Sequence, residues 1–335
     1  MPNFSIRRTA IVAVVSFLAI GPAPSPAHAQ DAPARVVASV GMVGDVAAEL
    51  AGTCAQVDTL MGPGVDPHSY RATASDVRAV QDADLVLYVG LGLEARLGEV
   101  LARLASRTRV VAVGDDAVPV AERRLGEGGT VDPHAWMDPD LWRSVAARVA
   151  TALADVVPAA CADALAERAA AYDALLVDLD AWAAATMASV PPSARVLVTA
   201  HDAFEYFGRA YGLEVVGLQG LSTVAEASLA DVRATADLIA ERGVPAVFVE
   251  STINPRTIES VRVAVRDRGT DVALGGELFS DAFGSAGTPE GTYVGMIVHN
   301  AATVATALGG TPAPLPTALA DWLARWPEGL EVVRR

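Results

Sequence analysis

Short apolar, β-branched runs recur along this chain and alternate with longer stretches whose apolar positions repeat every three to four residues. In the first half the runs fall at 35–40 (RVVASV), 55–60 (AQVDTL), 83–90 (ADLVLYVG) and 109–114 (RVVAVG). Their length and β-branched content predict strands. Between them, 42–52 (MVGDVAAELAG) and 74–83 (ASDVRAVQDA) are helical in period and end near Gly or Asp. The second half repeats the theme, with strands predicted at 195–200, 213–218, 245–251 and 271–276. Helices are predicted at 229–243 and 254–269, each closing on Gly. Strands alternating with helices predict an α/β fold with a four-stranded parallel sheet in each of two lobes. Sequence similarity between the halves is too weak to mark a repeat.

The stretch between the halves, 138–190, is rich in Ala and Leu and broken internally only by Pro158. From Cys161 to about Ser189 it reads as one uninterrupted helix, longer than most globular helices. The pattern predicts one long, rigid α-helix joining the lobes rather than a flexible hinge.

The first thirty residues stand apart. A basic start at Arg7-Arg8 precedes an apolar run at 9–21, and small residues at Ala27 and Ala29 fit an export signal cleaved before the mature chain begins near Gln30. The run is short for a membrane span. No cysteine lies near the cleavage point, so a soluble periplasmic protein without a lipid anchor is expected. The chain has 335 residues and a formal charge of −15, and the leader contributes no acid. Such an acidic surface argues against nucleic acid and anionic lipid and favours cationic partners. An exported chain meets an oxidising compartment, so Cys54 and Cys161 either pair as a disulfide or remain two buried thiols.

Histidine placement carries the chemistry. Past the leader there are four: His68, His134, His201 and His299. His68 follows the second predicted strand in GPGVDPHSY, and His134 follows the fourth in VDPHAWMDP. His201 directly follows the first strand of the second half, in LVTAHDAFEYF. Open α/β sheets bind ligands at the carboxyl ends of their strands, so the three converge on a cleft between lobes. Two of them share a local Asp-Pro-His context. Proline fixes its own φ and restricts the residue before it, so the turn pre-aims its histidine. Asp66 and Asp132, ahead of those prolines, either orient an imidazole or cap the turn.

Three imidazoles leave one tetrahedral position, for which Asp281 in GGELFSDAFG is the candidate, with Glu277 and Glu250 behind it. Such a donor set suits Zn²⁺ or Mn²⁺, one ion per chain. His299 sits on a helix-like segment away from any strand end and is expected to be a packed, satisfied histidine. Trp136, Phe204, Tyr206, Phe207 and Phe279 flank the candidate ligands and are expected to pack around them.

The segments at 60–77, 131–139, 197–223 and 275–300 resemble, in order, those of the metal-binding solute-binding proteins of ABC importers, the TroA-like zinc/manganese family. The resemblance spans about 36–310. It implies two lobes joined by a long helix, with His68, His134, His201 and Asp281 holding an ion in the cleft and delivering it to an importer permease. It also implies a periplasmic monomer that catalyses nothing. Manganese-favouring members often have Glu where His201 stands, which leans toward zinc. Many zinc-dedicated members carry a histidine-rich loop before the second ligand, which this chain lacks, and that leans the other way. The domain plan is a leader at 1–30, a metal-binding lobe at 31–140, a helical connector at 141–190 and a second metal-binding lobe at 191–335.

Two other functions fit the same cluster. A metal-dependent hydrolase would need an open coordination position and a base, for which Glu205 is placed. A structural or adhesive protein would need the metal to fold.

Overall fold

The computed structural model describes residues 32–327, 329 and 330, so the predicted leader lies outside the described residues. The first lobe is built on strands β1 (Ala34–Val40), β2 (Ala55–Met61), β3 (Leu85–Tyr88) and β4 (Val110–Ala112). The second is built on β5 (Val196–His201), β6 (Glu214–Gln219), β7 (Ala246–Glu250) and β8 (Ala273–Leu278). Every pairing is parallel, and the sheet orders are β2-β1-β3-β4 and β6-β5-β7-β8. The two lobes therefore share one topology, although their sequences do not read as a repeat. In both, the order reverses beside the first strand, which opens a crevice at the carboxyl ends.

Helices α1 (Gly41–Ala51), α2 (Ala74–Asp82), α3 (Ala95–Leu104) and α4 (Val113–Ala117) belong to the first lobe. The predicted strand at 109–114 stops early because Val113 opens α4. Gly114 sits there against Val89, whose carbonyl a Cβ would meet at 2.6 Å. Helices α5 (Pro139–Ala154) and α6 (Ala162–Ala188) follow, separated at Pro158 as expected. Helices α7 (Glu205–Tyr211), α8 (Leu229–Arg242), α9 (Arg256–Arg266), α10 (Tyr293–Ala307) and α11 (Thr317–Leu323) complete the chain. Capping boxes start α2 at Thr73/Asp76 and α8 at Ser228/Asp231. The last strand runs two residues beyond its predicted end, where alternation is blurred by Gly275 and Gly276.

The long helix α6 is fastened at both ends. At its start, the Cys54–Cys161 disulfide joins it to the first lobe. Arg168 there donates to the carbonyls of Leu50 (2.6 Å) and Ala51 (2.7 Å). These bonds satisfy carbonyls at the end of α1 that the helix itself cannot. At the other end, Trp182 donates to the Ala313 carbonyl at 2.8 Å and the Thr186 hydroxyl accepts the Ala313 N–H at 3.1 Å. One apolar core runs without a break through α1, β1, β3, α5, α6 and α10 to Phe204 and Phe207 in the second lobe. A smaller core, with Val198, Val247, Ile239 and Val261, lies between the second sheet and α8 and α9. A shared close-packed core resists wide separation of the lobes. Among the described residues, no helix is long and apolar enough to cross a membrane.

Candidate metal centre

The two Asp-Pro-His turns have the same local geometry. Asp66 Oδ1 accepts the N–H of His68 at 2.9 Å, and Asp132 Oδ1 accepts that of His134 at 2.9 Å. An aspartate binding the N–H two residues on closes an Asx turn, and the proline between needs no donor partner. Ahead of the first turn, Val65 donates to the Gly62 carbonyl at 3.2 Å across Pro63-Gly64, and Gly64 has φ 72°. A side chain at that φ would be strained, so only glycine fits cheaply.

Beyond this the turns part. Asp132 Oδ1 also lies 2.7 Å from His134 Nδ1, so it caps the turn and orients the ring. Asp66 instead turns its second oxygen to Ser69 (2.8 Å) and to Thr223 of the other lobe (2.6 Å). His201 is the last residue of β5, and Glu250 is the last of neighbouring β7. Glu250 Oε1 accepts the His201 N–H at 2.9 Å, and its Oε2 lies 2.6 Å from His201 Nδ1. Asp281 follows β8. The backbone before it is held by Asn300, which exchanges two bonds with Phe279 at 2.9 and 2.7 Å, and by Trp136, which donates to the Ser280 carbonyl at 2.9 Å.

With Nδ1 of His134 and His201 facing carboxylates, their Nε2 atoms face inward. His134 Nε2 lies 3.3 Å from His68 Nε2 and 3.3 Å from Asp281 Oδ1. Asp281 Oδ2 lies 3.1 Å from His201 Nε2 and 3.5 Å from His68 Nε2. One donor atom from each of the four lies within 4.8 Å of all the others. All four residues are buried, His68 retaining 7% exposure. His201 Nε2 and both Asp281 oxygens have no hydrogen-bond partner among the described residues. Buried polar atoms are rarely left so. Orphaned polar atoms on two of the four converging side chains suit a cation that replaces the missing bonds.

The charges agree. Burial opposes ionisation of Asp281, yet the His201 and His134 rings hold its carboxyl well below the usual range. Burial lowers His68 to about 4. Burial also opposes charge on His134, but Asp132 and Asp281 outweigh it and lift the ring to about 9. His201 is likewise raised well above its ordinary value, against its burial, by Glu250 and Asp281.

Glu250 supports a ring rather than joining the cluster. Glu277 is exposed, and its carbonyl lies 3.0 Å from His299 Nε2, so His299 packs away from the cluster, 4.8 Å from the Phe279 ring, but it is only half satisfied, its Nδ1 having no hydrogen-bond partner among the described residues. Glu205 pairs with Arg124. Phe204, Tyr206 and Phe207 are buried, and Trp136 packs edge-on to His134 at 5.2 Å. Sequence reasoning missed Asn300 and the Trp136–Ser280 tie. Neither is marked by spacing, since each acts on backbone from a distant element.

Two parallel-sheet lobes bridged by a long helix, with a buried three-imidazole, one-carboxylate cluster between them, define a solute-binding protein specialised for metal ions. Residues 36–307 match the family described as ZnuA, zinc-uptake complex component A, periplasmic, and the chain belongs to that family. The zinc-binding protein TroA of Treponema pallidum (strain Nichols) is 47% identical over 280 residues, covering 84% of this chain and 90% of that protein. The manganese-binding lipoprotein MntA of Bacillus subtilis (strain 168) is 42% identical over 277 residues, 82% and 89% of the two chains. The solved structure of the periplasmic zinc-binding protein TroA from Treponema pallidum superposes with a TM-score of 0.80, covering 82% of this chain and 99% of that one.

Proposed function

We propose that this protein captures one divalent transition-metal ion, Zn²⁺ or Mn²⁺, outside the cytoplasm and hands it to an ABC importer permease. His68, His134, His201 and Asp281 are its ligands. The observation that carries this reading is the convergence of four buried donors within 4.8 Å, three of their inward atoms lacking a hydrogen-bond partner among the described residues. The lobe at 31–140 supplies two ligands, the lobe at 191–335 supplies two, and the connector at 141–190 fixes their separation. Asp281 meets the rings with both oxygens, Oδ1 toward His134 and Oδ2 toward His68 and His201. A carboxylate that can ligate through one oxygen or two serves tetrahedral zinc and higher-coordinate manganese alike. The shared core favours release by small loop and lobe shifts. The hydrolytic alternative loses its base, because Glu205 is engaged by Arg124, and Asp281 takes the position that water would need. The protein works as a monomer in the periplasm.

The test is titration of metal-stripped protein with Zn²⁺ and with Mn²⁺ against a chelator of known affinity. One ion per chain is expected, lost in His68→Ala and Asp281→Ala and kept in His299→Ala. Parental binding in both His68→Ala and Asp281→Ala would overturn the ligand assignment.

A further inference from the structure

Two of the proposed ligands, one from each lobe, are linked through a single indole. Trp136 lies two residues after His134, in the 3-10 turn Ala135–Met137, and packs edge-on to that ring at 5.2 Å. Its Nε1–H donates to the Ser280 carbonyl at 2.9 Å, one residue before Asp281. Its own carbonyl accepts the Tyr293 hydroxyl at 2.8 Å. Both bonds are buried, and both join the first lobe to the second. Tyr293 is fixed in turn. It opens α10, its N–H donates to Asp45 at 2.9 Å, and its ring stacks on Trp142 at 5.9 Å. Trp142 supplies a contrast. It is as fully buried as Trp136 and stands 6.3 Å from it in the same aromatic stack, yet its Nε1 has no hydrogen-bond partner among the described residues.

We propose that Trp136 is a positioning residue for metal retention: its indole N–H holds the His134 turn and the Asp281 turn together and so slows departure of the ion. The inference rests on the ligand assignment above. His134 Nε2 and Asp281 Oδ1 stand 3.3 Å apart and come from different lobes, so an ion between them is freed when the two turns separate. Separation must break the Trp136–Ser280 bond, which leaves a buried donor and a buried acceptor without partners. Both residues are 0% exposed, so solvent does not compete for that bond while the turns are together. Asn300 grips the backbone at Phe279, but it belongs to the second lobe itself. It can fix Asp281 within its own lobe and cannot tie it to His134, which the indole does.

The experiment compares Trp136→Phe with Trp142→Phe. Each swaps a fully buried indole for a phenyl ring in the same stack, and only the first removes a hydrogen bond. Protein loaded with one Zn²⁺ per chain is mixed with an excess of a colour-changing chelator in a stopped-flow instrument, and release is read at its plateau in chelator concentration. Association is measured separately on metal-stripped protein. Trp136→Phe should release zinc about tenfold faster, as expected when an outer support of a ligand is lost, with the association rate and the count of one ion per chain unchanged. Trp142→Phe opens a similar space in the same core and should release zinc at the parent's rate. Tyr293→Phe deletes one oxygen, leaves both indoles in place and should also speed release. The double variant Trp136→Phe/Tyr293→Phe should be little faster than Trp136→Phe alone, because without the indole N–H the tyrosine has no hold on Ser280. Equal release by Trp136→Phe and the parent, or equal acceleration in Trp136→Phe and Trp142→Phe, would overturn the proposal. Failure of the ligand assignment would appear separately, as parent protein that holds no ion before the chelator is added.

Discussion

Replacing Glu250 by Gln removes one charge and no volume. The glutamate is buried and spends one oxygen on the His201 backbone N–H at 2.9 Å and the other, at 2.6 Å, on the ring Nδ1. Both partners are donors when the ring binds metal through Nε2. A glutamine offers one acceptor and one donor, so one of the two contacts must fail. If the amide N–H faces Nδ1, the ring shifts its proton to Nε2, the atom meant for the metal. Loss of a carboxylate behind a ligating imidazole typically costs tenfold to a hundredfold in metal affinity, about 1.4 to 2.8 kcal/mol. We therefore expect Glu250→Gln to weaken Zn²⁺ by that factor in chelator competition, with one ion per chain still bound. Asp132→Asn should do the same through His134, whose ring nitrogen lies 2.7 Å from that carboxylate. Affinity within twofold of the parent in Glu250→Gln, with an unchanged melting curve, would refute the claim that this carboxylate sets the ring's tautomer.

Three further outcomes follow from the same structure. Metal binds neutral imidazole, and carboxylate neighbours lift the His134 ring to about 9 and raise the His201 ring above its ordinary value. Binding at pH 7 should therefore release protons, measured by calorimetry in buffers of different ionisation enthalpy, and affinity should fall as pH is lowered; a release of none would contradict the assigned rings. Reducing Cys54–Cys161, which closes a loop of 107 residues, should cost roughly 4 to 5 kcal/mol in denaturant unfolding and leave metal stoichiometry unchanged. Half-buried Asp45 accepts the Tyr293 N–H at 2.9 Å, and burial lifts its carboxyl from 3.8 to about 7. Between those values the unfolded chain has lost a proton that the folded chain keeps, so this group's contribution to stability falls as pH rises through that window. Asp45→Asn should flatten that slope and raise the melting temperature above pH 7 but not at pH 4; an unchanged difference at both would count against it.

Much of the site was legible because its signals are local. Asp-Pro-His announces a rigid turn whichever fold surrounds it, and a histidine ending a β-branched run marks the carboxyl end of a strand. Asp281 was found the same way, a few residues beyond β8. The roles of Asp66 and Asp132 were not legible. The two turns are identical through His68 and His134, yet one carboxylate turns to Thr223 of the other lobe and the other to its own ring. That choice depends on what stands opposite, which spacing does not encode. Glu250 could be read only as a spare ligand, because its place behind His201 comes from β7 pairing with β5.

By itself, then, the sequence determined the alternation of strands and helices, the long connector after Pro158 and the identity of the four candidate ligands. Each of these follows from periodicity, proline stereochemistry or residue type within a few positions. Only the tertiary structure decided that the two sheets share one order, that the lobes share one core, that Cys54 meets Cys161, and which carboxylate stands behind which ring. Those outcomes depend on contacts between segments a hundred or more residues apart, or on strand order within a sheet. Their energy comes from burying apolar surface and pairing polar groups across the fold, and it is absent until the chain has closed.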